Sequence, residues 1–290
     1  MNFRPFIESD MSRFEQISMY LALQVKYHKG VHGDNIICAL DGGEVVGAGI
    51  LTLHRDMIDK GVVKVDFSTY VGDKHHENSF LPDALTEALI ARFQKLRAES
   101  SNKMILRAFC FANDNKKMQP LFQKGFGASR VIPWFKYDLT GEIYHISQSC
   151  SGVRIVPFEF TKTNMQRYLD AAAGADLPTN GVDDSWFRTG SPGFACFAAL
   201  HEDEIAGAIT IWDMSDEQGA TEYIFVSPSH RRKGIAKRLI GTAFEELKAR
   251  GRKEASLSVF GTNLPAIQLY LSLGYELAGH IIELTVPLDS

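Results

Sequence analysis

A phosphate-binding pattern lies in the second half of the chain, at Ile224-Phe-Val-Ser-Pro-Ser-His-Arg-Arg-Lys-Gly-Ile-Ala236. An apolar run ends at Val226, a proline turn follows, and Arg231-x-x-Gly234-x-Ala236 begins a helix. Amides at a helix start have no partner within the helix, and the helix dipole favours an anion there. We therefore predict that this turn binds a pyrophosphate group. The alternative is a helix that begins beside an exposed basic patch.

The charge distribution supports an anion site at this turn. Residues 151–290 hold 13 basic and 18 acidic side chains, and five of the basic ones lie within Arg231–Arg238. The formal net charge of the whole chain is only −4. This balance predicts neither a nucleic-acid partner nor a membrane surface as partner.

A second motif follows, Asn263-x-x-Ala266-x-x-x-Tyr270-x-x-x-Gly274-Tyr275. Its Ala266 and Tyr270 are four residues apart and share a helix face. The two motifs together resemble the coenzyme-A-binding region of the GNAT (GCN5-related N-acetyltransferase) superfamily. The resemblance covers residues 153–290 in full. It implies an α+β domain with a mixed, mostly antiparallel central sheet flanked by helices, and it implies acetyl-CoA as acyl donor.

The resemblance also implies a role for individual residues. Main-chain groups at Phe225 and Val226 would pair with the pantetheine arm, where their strand splays from its neighbour. The amides of Arg232–Lys237 would hold the pyrophosphate, and Asn263 would contact the cofactor. The predicted cofactor-binding residues are Phe225, Val226, Arg231, Arg232, Lys233, Gly234, Ile235, Ala236, Lys237 and Asn263.

Two residues are the predicted catalytic groups. Tyr270 would lie near the thioester sulfur and give the departing thiolate a proton; the alternative is an aromatic packed under the last strands. The Val226 amide would stabilise the oxyanion. Glu222 is the candidate base, because strand alternation would put it on one face with Ile224 and Val226, where a carboxylate could have a raised pKa. A solvent-exposed glutamate is the equal alternative.

The acceptor amine is harder to identify. The loop Asp176–Trp186 falls where this family shapes its acceptor site, and its acids and Trp186 would suit a cationic amine. A solvated loop of turn-forming residues is the alternative. We predict a small-molecule or peptide amine as the acceptor. His201 and His230 are interpreted as structural or solvated, and no residues have metal-ligand spacing, so no metal is predicted.

The second half has the order of elements that these motifs need. Apolar β-rich runs and helical periodicity alternate along it. Predicted strands are 153–157, 194–200, 205–213, 220–226, 255–260 and 281–286, and predicted helices are 162–173, about 233–249 and 265–273.

The first half repeats this order, which indicates a tandem duplication. Its predicted strands are 3–7, three across 35–71, and 104–111; its predicted helices are 11–27, 81–98 and 116–124. Short matches link the halves, such as Leu121-Phe-Gln-Lys-Gly-Phe126 with Tyr270-Leu-Ser-Leu-Gly-Tyr275. We predict a degenerate domain at 1–140, a linker at 141–152 and a catalytic domain at 153–290.

The first half lacks the residues that the second uses. Aligning Val71 with Val226 puts His76, Ser79 and Leu81 at the positions of Arg231, Gly234 and Ala236, and Leu121 falls at the Tyr270 position. A structural or acceptor-shaping role is therefore predicted for it. Tandem chains of the GNAT superfamily include mycothiol-synthase-like enzymes, which use only their second domain, and this chain resembles them in its domain roles.

The sequence thus predicts a cytoplasmic N-acetyltransferase acting on a primary amine, with catalysis in the second domain. A non-catalytic CoA-binding sensor is the alternative from another class. Peptidoglycan-building aminoacyltransferases use aminoacyl-tRNA and would not need the Arg231-x-x-Gly234-x-Ala236 turn. The four cysteines show no paired spacing and are predicted to be reduced and mostly buried. No signal peptide or membrane span is predicted.

Overall fold

The computed structural model describes residues 1–28, 30–59, 61–75, 80–143, 152–175, 177 and 190–286. These residues form two compact units. The first contains residues from Met1 to Arg130 together with those from Ile282 onward, and the second contains Val131–Ile281. The units are therefore not two continuous halves of the chain, because each includes a short segment from the other half.

The first unit is built around a mixed sheet. Its strands are β1 (Asn2–Pro5), β2 (Val31–Asp41), β3 (Glu44–Asp59), β4 (Val62–Val71) and β5 (Lys103–Phe111). Neighbouring strands are antiparallel from β1 to β4, and β4 pairs with β5 in parallel. Its helices are α1 (Met11–Ile17), α2 (Met19–Tyr27), α3 (Phe80–Glu99) and α4 (Asn115–Gln123).

The predicted helix 11–27 is wrong at one point, because the structure divides it at Ser18. This residue has an extended backbone (φ −164°, ψ 121°) and its hydroxyl accepts a hydrogen bond from the amide of Leu21. Serine competes for backbone partners within a helix and favours the N-cap position. The apolar pattern therefore continues across the break while the helix itself does not.

The second unit has the same order of elements. Its strands are β6 (Gly127–Asp138, from residue 131 onward), β7 (Arg154–Pro157), β8 (Ala195–His201), β9 (Glu204–Asp213), β10 (Gln218–Val226) and β11 (Glu254–Ser258). Its helices are α5 (Lys162–Gly174), α6 (Ile235–Ala249) and α7 (Leu264–Ser272). The strand order is β6-β11-β10-β9-β8-β7, and only the β10–β11 pair is parallel. The predicted α+β class is thus confirmed.

A last strand, β12 (Glu276–Thr285), begins in the second unit and ends in the first. In the first unit its end lies beside β5, where the Val286 amide donates to the carbonyl of Leu106 over 3.3 Å. Leu284 is fully buried there, in a core that also contains Phe93 of α3. The end of β12 therefore contributes to the core of the first unit.

A polar network also holds the end of β12 in the first unit. Arg107 donates to Asp66 over 2.7 Å and lies 3.5 Å from Glu283, and Ser129 donates to Glu283 over 2.9 Å. His54 lies 2.8 Å from the other Asp66 oxygen. Burial alone would raise the pKa of Asp66, but its contacts with His54 and Arg107 outweigh burial and lower that pKa.

In the second unit, hydrophobic side chains pack on both faces of the sheet. α6 buries Ile235, Leu239, Ile240, Phe244 and Leu247 on one face, as its helical periodicity predicts. α5 covers the other face, where Tyr168 packs with Phe225. These two cores fix β10 between them.

Three of the four cysteines, Cys38, Cys110 and Cys196, are free and buried, as predicted; Cys150 lies outside the described residues. Burial raises the pKa of Cys38 to about 12 and that of Cys110 to about 11. Among the helices that the structure describes, none combines the length and apolar character of a bilayer-spanning segment.

Candidate acyl-donor cleft

The cleft forms where β10 and β11 separate. These strands pair only from Gln218↔Glu254 to Ala220↔Ser256. At the next residue of β10, the buried Thr221 hydroxyl lies 2.8 Å from the Tyr275 hydroxyl. The open part is a cleft of about 780 Å³ between the end of β10, the start of α6 and one side of α7. We call it the donor cleft.

The end of β10 turns polar backbone groups toward the donor cleft. The Ser227 amide bonds to the carbonyl of Ala206, and Val226 lies opposite Gly207. Along an antiparallel strand, successive residues direct their N–H and C=O groups alternately toward and away from the neighbouring strand. Because the Ser227 amide points toward β9, the N–H and C=O of Val226 point away from β9. The Val226 amide therefore points toward the side from which β11 has departed.

A β-bulge interrupts β10 just before this point. Two residues, Tyr223 and Ile224, lie between Glu222 and Phe225, while one residue of β9 lies opposite them. Tyr223 has a left-handed backbone (φ 46°), which places strain at the bulge. The bulge shifts the alternation of side chains by one position.

The prediction that Glu222 shares a face with Ile224 and Val226 is wrong because of this bulge. Glu222 pairs with Thr210, whose strand neighbour Ala208 packs on the α5 side. Ile224 and Val226 instead pack against the core beneath α6. Glu222 is not among the residues that line the donor cleft.

The basic turn has the geometry of an anion site. Gly234 is the N-cap of α6 with φ 81°. Arg232, two residues earlier, also has a left-handed backbone, with φ 65°. Gly234 supplies no side-chain cap, so the first amides of α6 keep their donors. Gly234, Ile235, Ala236 and Lys237 all line the donor cleft.

The charges at this helix start are reversed from the usual preference. The first turn of α6 has no acidic residue, whereas Arg231, Arg232 and Lys233 directly precede it. Cations are disfavoured near a helix N-terminus by its dipole. Such an arrangement gains stability when an anion binds between the amides and the basic side chains.

Arg231 also holds neighbouring elements together. Its Nε donates to the carbonyl of Val226 at 3.2 Å, and its Nη2 donates to the carbonyl of Ala175 at 3.1 Å. Ala175 follows the end of α5 and lines the donor cleft. One guanidinium therefore fixes the turn against both β10 and the end of α5.

Tyr270 lies on the α7 side of the donor cleft with 6% of its surface exposed. Its ring centroid is 5.7 Å from that of Tyr275 and 6.4 Å from that of Phe135. Burial raises the pKa of Tyr270 to about 12. At neutral pH its hydroxyl therefore keeps its proton and remains a donor.

Asn263 is the N-cap of α7, and its side-chain oxygen accepts from the Ala266 amide at 3.3 Å. Because the oxygen serves as the cap, the two amide hydrogens of Asn263 remain as donors. The residue lines the donor cleft. Capping and ligand binding are thus compatible at this position.

Most of the predicted site residues therefore meet in one cleft. Those that line it are Phe225, Val226, Arg231, Arg232, Gly234, Ile235, Ala236, Lys237, Asn263 and Tyr270. Lys233 and Glu222 do not line it. The predicted acceptor loop at 176–186 lies outside the described residues except for Leu177, which also lines the cleft.

Sequence reasoning missed some lining residues, among them Gln268 and Ser272 of α7. Both lie within one turn of Tyr270, so helical spacing could have identified them. It also treated His201 and His230 separately, although their ring centroids are 4.9 Å apart. The pKa of His230 is lowered by burial and by the nearby Lys233 and His201.

In the first unit, the equivalent positions are apolar where they are described. Leu81 is fully buried, and Leu121 is 5% exposed within the α3 core. The residues at 76–79, which align with the basic turn, lie outside the described residues. The first unit thus has no tyrosine at the position equivalent to Tyr270.

Residues 161–275 match the model of the Acetyltransferase (GNAT) family. The chain carries a GNAT-family domain. The Escherichia coli streptothricin acetyltransferase is 33% identical over 85 residues, which are 29% of this chain and 49% of that protein. The chain spans about half the length of the curated relatives it matches.

Solved structures extend the GNAT fold to both units. A tandem GNAT protein from the clavulanic acid biosynthesis pathway aligns with a TM-score of 0.72 and 14% identity, covering 99% of this chain and 98% of that one. A GCN5-related N-acetyltransferase from Sphaerobacter thermophilus aligns with a TM-score of 0.65 and 17% identity, covering 99% and 95%. The predicted tandem GNAT fold is confirmed.

Proposed function

We propose that the second unit is an acetyl-CoA-dependent N-acetyltransferase that acts on a primary amine. The observation that carries the proposal is the donor cleft, which runs from the Val226 amide and Tyr270 to the amide-rich, basic start of α6. A single ligand with a pyrophosphate at one end and a thioester at the other would use both ends. Acetyl-CoA has this chemistry.

The reaction follows from the groups along the donor cleft. An unprotonated amine forms a C–N bond to the thioester carbon, and the carbonyl oxygen gains negative charge near the Val226 amide. The C–S bond then breaks, and the thiolate takes the proton of the Tyr270 hydroxyl. The proton released by the attacking nitrogen passes to a base; the base then loses this proton to solvent and Tyr270 regains one from solvent, which restores the enzyme. The products are an N-acetylated amine and free CoA.

Glu222 is proposed as that base, acting through a water. Its strand position is on the α5 face of the sheet, and α5 leads into the predicted acceptor loop. A carboxylate there could receive a proton from an acceptor that approaches from this side. E222Q tests this role, since glutamine keeps the shape of the side chain and removes its basicity.

The test is a thiol-release assay with acetyl-CoA and a panel of amines. The panel includes polyamines, amino sugars, amino-terminal peptides and streptothricin, because a relative carries that substrate in its name. We expect at least one amine to stimulate CoA release in the wild type, and Y270F to slow it by about 10²-fold or more. Acetyl-CoA binding without turnover by any amine would favour a CoA-binding sensor. No acetyl-CoA binding would contradict the proposal.

A further inference from the structure

The second unit includes a strand segment from the first half of the chain. Residues 131–138 of β6 precede the linker and the whole second repeat, yet they pair with β11 from Trp134↔Ser258 to Asp138↔Glu254. β11 therefore lies between β10 and β6. Where β11 separates from β10 to open the donor cleft, its remaining backbone partner is β6.

Further contacts fix the ends of this pairing. The Leu139 amide donates to the carbonyl of Lys253 at 2.8 Å, and the Val259 amide donates to the carbonyl of Pro133 at 3.1 Å. The Lys136 ammonium lies 2.8 Å from a carboxylate oxygen of Glu254. The register of β6 is thus fixed at both ends, which sets where its inward side chains lie.

Two inward aromatic side chains of β6 reach the surroundings of Tyr270. Phe135 is 3% exposed, and its ring is tilted by 51° to that of Tyr270 at a centroid distance of 6.4 Å. Tyr137 stacks on Phe244 at 4.1 Å and contacts Tyr275 at 5.7 Å. Tyr275 in turn meets Tyr270 edge-on.

Two neighbouring aromatic rings restrict the Tyr270 side chain. A tyrosine side chain has two rotatable angles before its hydroxyl, and neighbouring rings that pack against it restrict both. Phe135 and Tyr275 are both ring neighbours of Tyr270 and belong with it to one buried core. Removing the Phe135 ring would therefore remove one of the neighbours that restrict Tyr270.

We propose that Phe135 is a positioning residue for Tyr270, so that a strand from the first half of the chain completes the catalytic site of the second unit. This inference rests on the proposed function, in which Tyr270 donates a proton to the departing thiolate. A proton donor displaced by about 1 Å can lose as much as 10²-fold in rate. The first half then serves catalysis although its own repeat lacks the tyrosine.

The experiment compares F135L with F93L in the full-length protein. Phe93 is also 3% exposed, but it lies in the core of the first unit under α3. Both variants remove an aromatic ring from a buried core, and only F135L removes a neighbour of Tyr270. We expect F135L to lower kcat about tenfold with the acetyl-CoA Kd within about threefold of wild type, and F93L to change neither.

A double-mutant cycle with Y270F separates positioning from general damage to the fold. If Phe135 acts through the Tyr270 hydroxyl, F135L has no further effect on kcat in the Y270F background. An equal loss of kcat in both backgrounds, or an unchanged kcat in F135L, would overturn the inference. F135M, which conserves volume better, replaces F135L if that variant does not fold. Failure of the proposed function is seen separately, as a wild type that releases no CoA with any amine.

Discussion

The Nη2 atom of Arg231 donates to the carbonyl oxygen of Ala175 at 3.1 Å, while its Nε donates to Val226. This fork joins the basic turn to the end of α5 and to β10. A planar guanidinium can hold two acceptors at fixed positions, whereas a lysine ammonium acts as a point charge. Because these two hydrogen bonds need the planar guanidinium, replacing Arg231 by lysine removes them while keeping the positive charge.

We predict that R231K weakens acetyl-CoA binding although the charge is kept. Loss of the fork leaves the turn less fixed, and the Kd should rise roughly twofold to tenfold. Isothermal titration of acetyl-CoA measures this, and R232K is the matched control because it makes the same exchange at the neighbouring position. Equal Kd values for R231K and wild type would show that Arg231 contributes only charge.

The left-handed backbone of Gly234 gives a second prediction. Gly234 begins α6 with φ 81°, and Gly251 follows the same helix with φ 80° and open space around its Cβ position. G234A and G251A should each lower Tm by about 2–6 °C, because alanine is strained at such a φ. Only G234A should also weaken acetyl-CoA binding, by about tenfold or more, since its methyl group blocks phosphate approach. Similar acetyl-CoA affinities of G234A and G251A would contradict the assignment of an anion site at Gly234.

The pH dependence of kcat follows from the buried phenol. Tyr270 must be protonated to act as an acid, and its pKa is raised by burial to about 12. Its proton therefore stays in place throughout neutral and mildly alkaline pH, and only a rise toward that pKa removes it. We expect no fall of kcat on the alkaline side up to about pH 10. An alkaline limb below that pH in wild type, unchanged in Y270F, would assign the limb to another group.

The end of β12 supplies a prediction on the stability of the first unit. Leu284 is fully buried in that unit, whereas Leu277 on the same strand is 50% exposed. L284A should cost about 2–5 kcal/mol of unfolding free energy, and L277A less than about 0.5 kcal/mol. Hydrogen exchange by mass spectrometry should show faster exchange at Lys103–Phe111 in L284A. If amide hydrogen exchange became faster only in the second unit, the assignment of the β12 end to the core of the first unit would be contradicted.

Much of the fold can be predicted from local patterns in the sequence. The helical spacing of its apolar residues and the glycine after it predict α6. The residues before α6 predict a turn in which the first helix amides have no side-chain cap. The β6 strand at Gly127–Asp138 is not among the predicted elements. Pro133 within it argues against a central strand, and its residues up to Val131 are exposed. Its partner β11 lies more than a hundred residues away, so no local pattern indicates the pairing.

The site was less predictable where one residue changes the geometry. Strand alternation predicts that Glu222 and Ile224 share a face, but the extra residue at the bulge near Tyr223 reverses it. A bulge has no firm sequence signal when its strained residue is not glycine. The two contacts of Arg231 are also absent from the motif itself, because the motif describes backbone amides rather than the side chain.

The most direct test of the central claim is the hydrogen-exchange footprint of acetyl-CoA on the full-length protein. If the donor cleft binds it, the ligand should protect the amides from Val226 to Lys237 and those at the start of α7, with little change at residues 71–85 of the first half. Protection of the first-half segment in place of the second, or no protection despite saturating acetyl-CoA, would contradict the account.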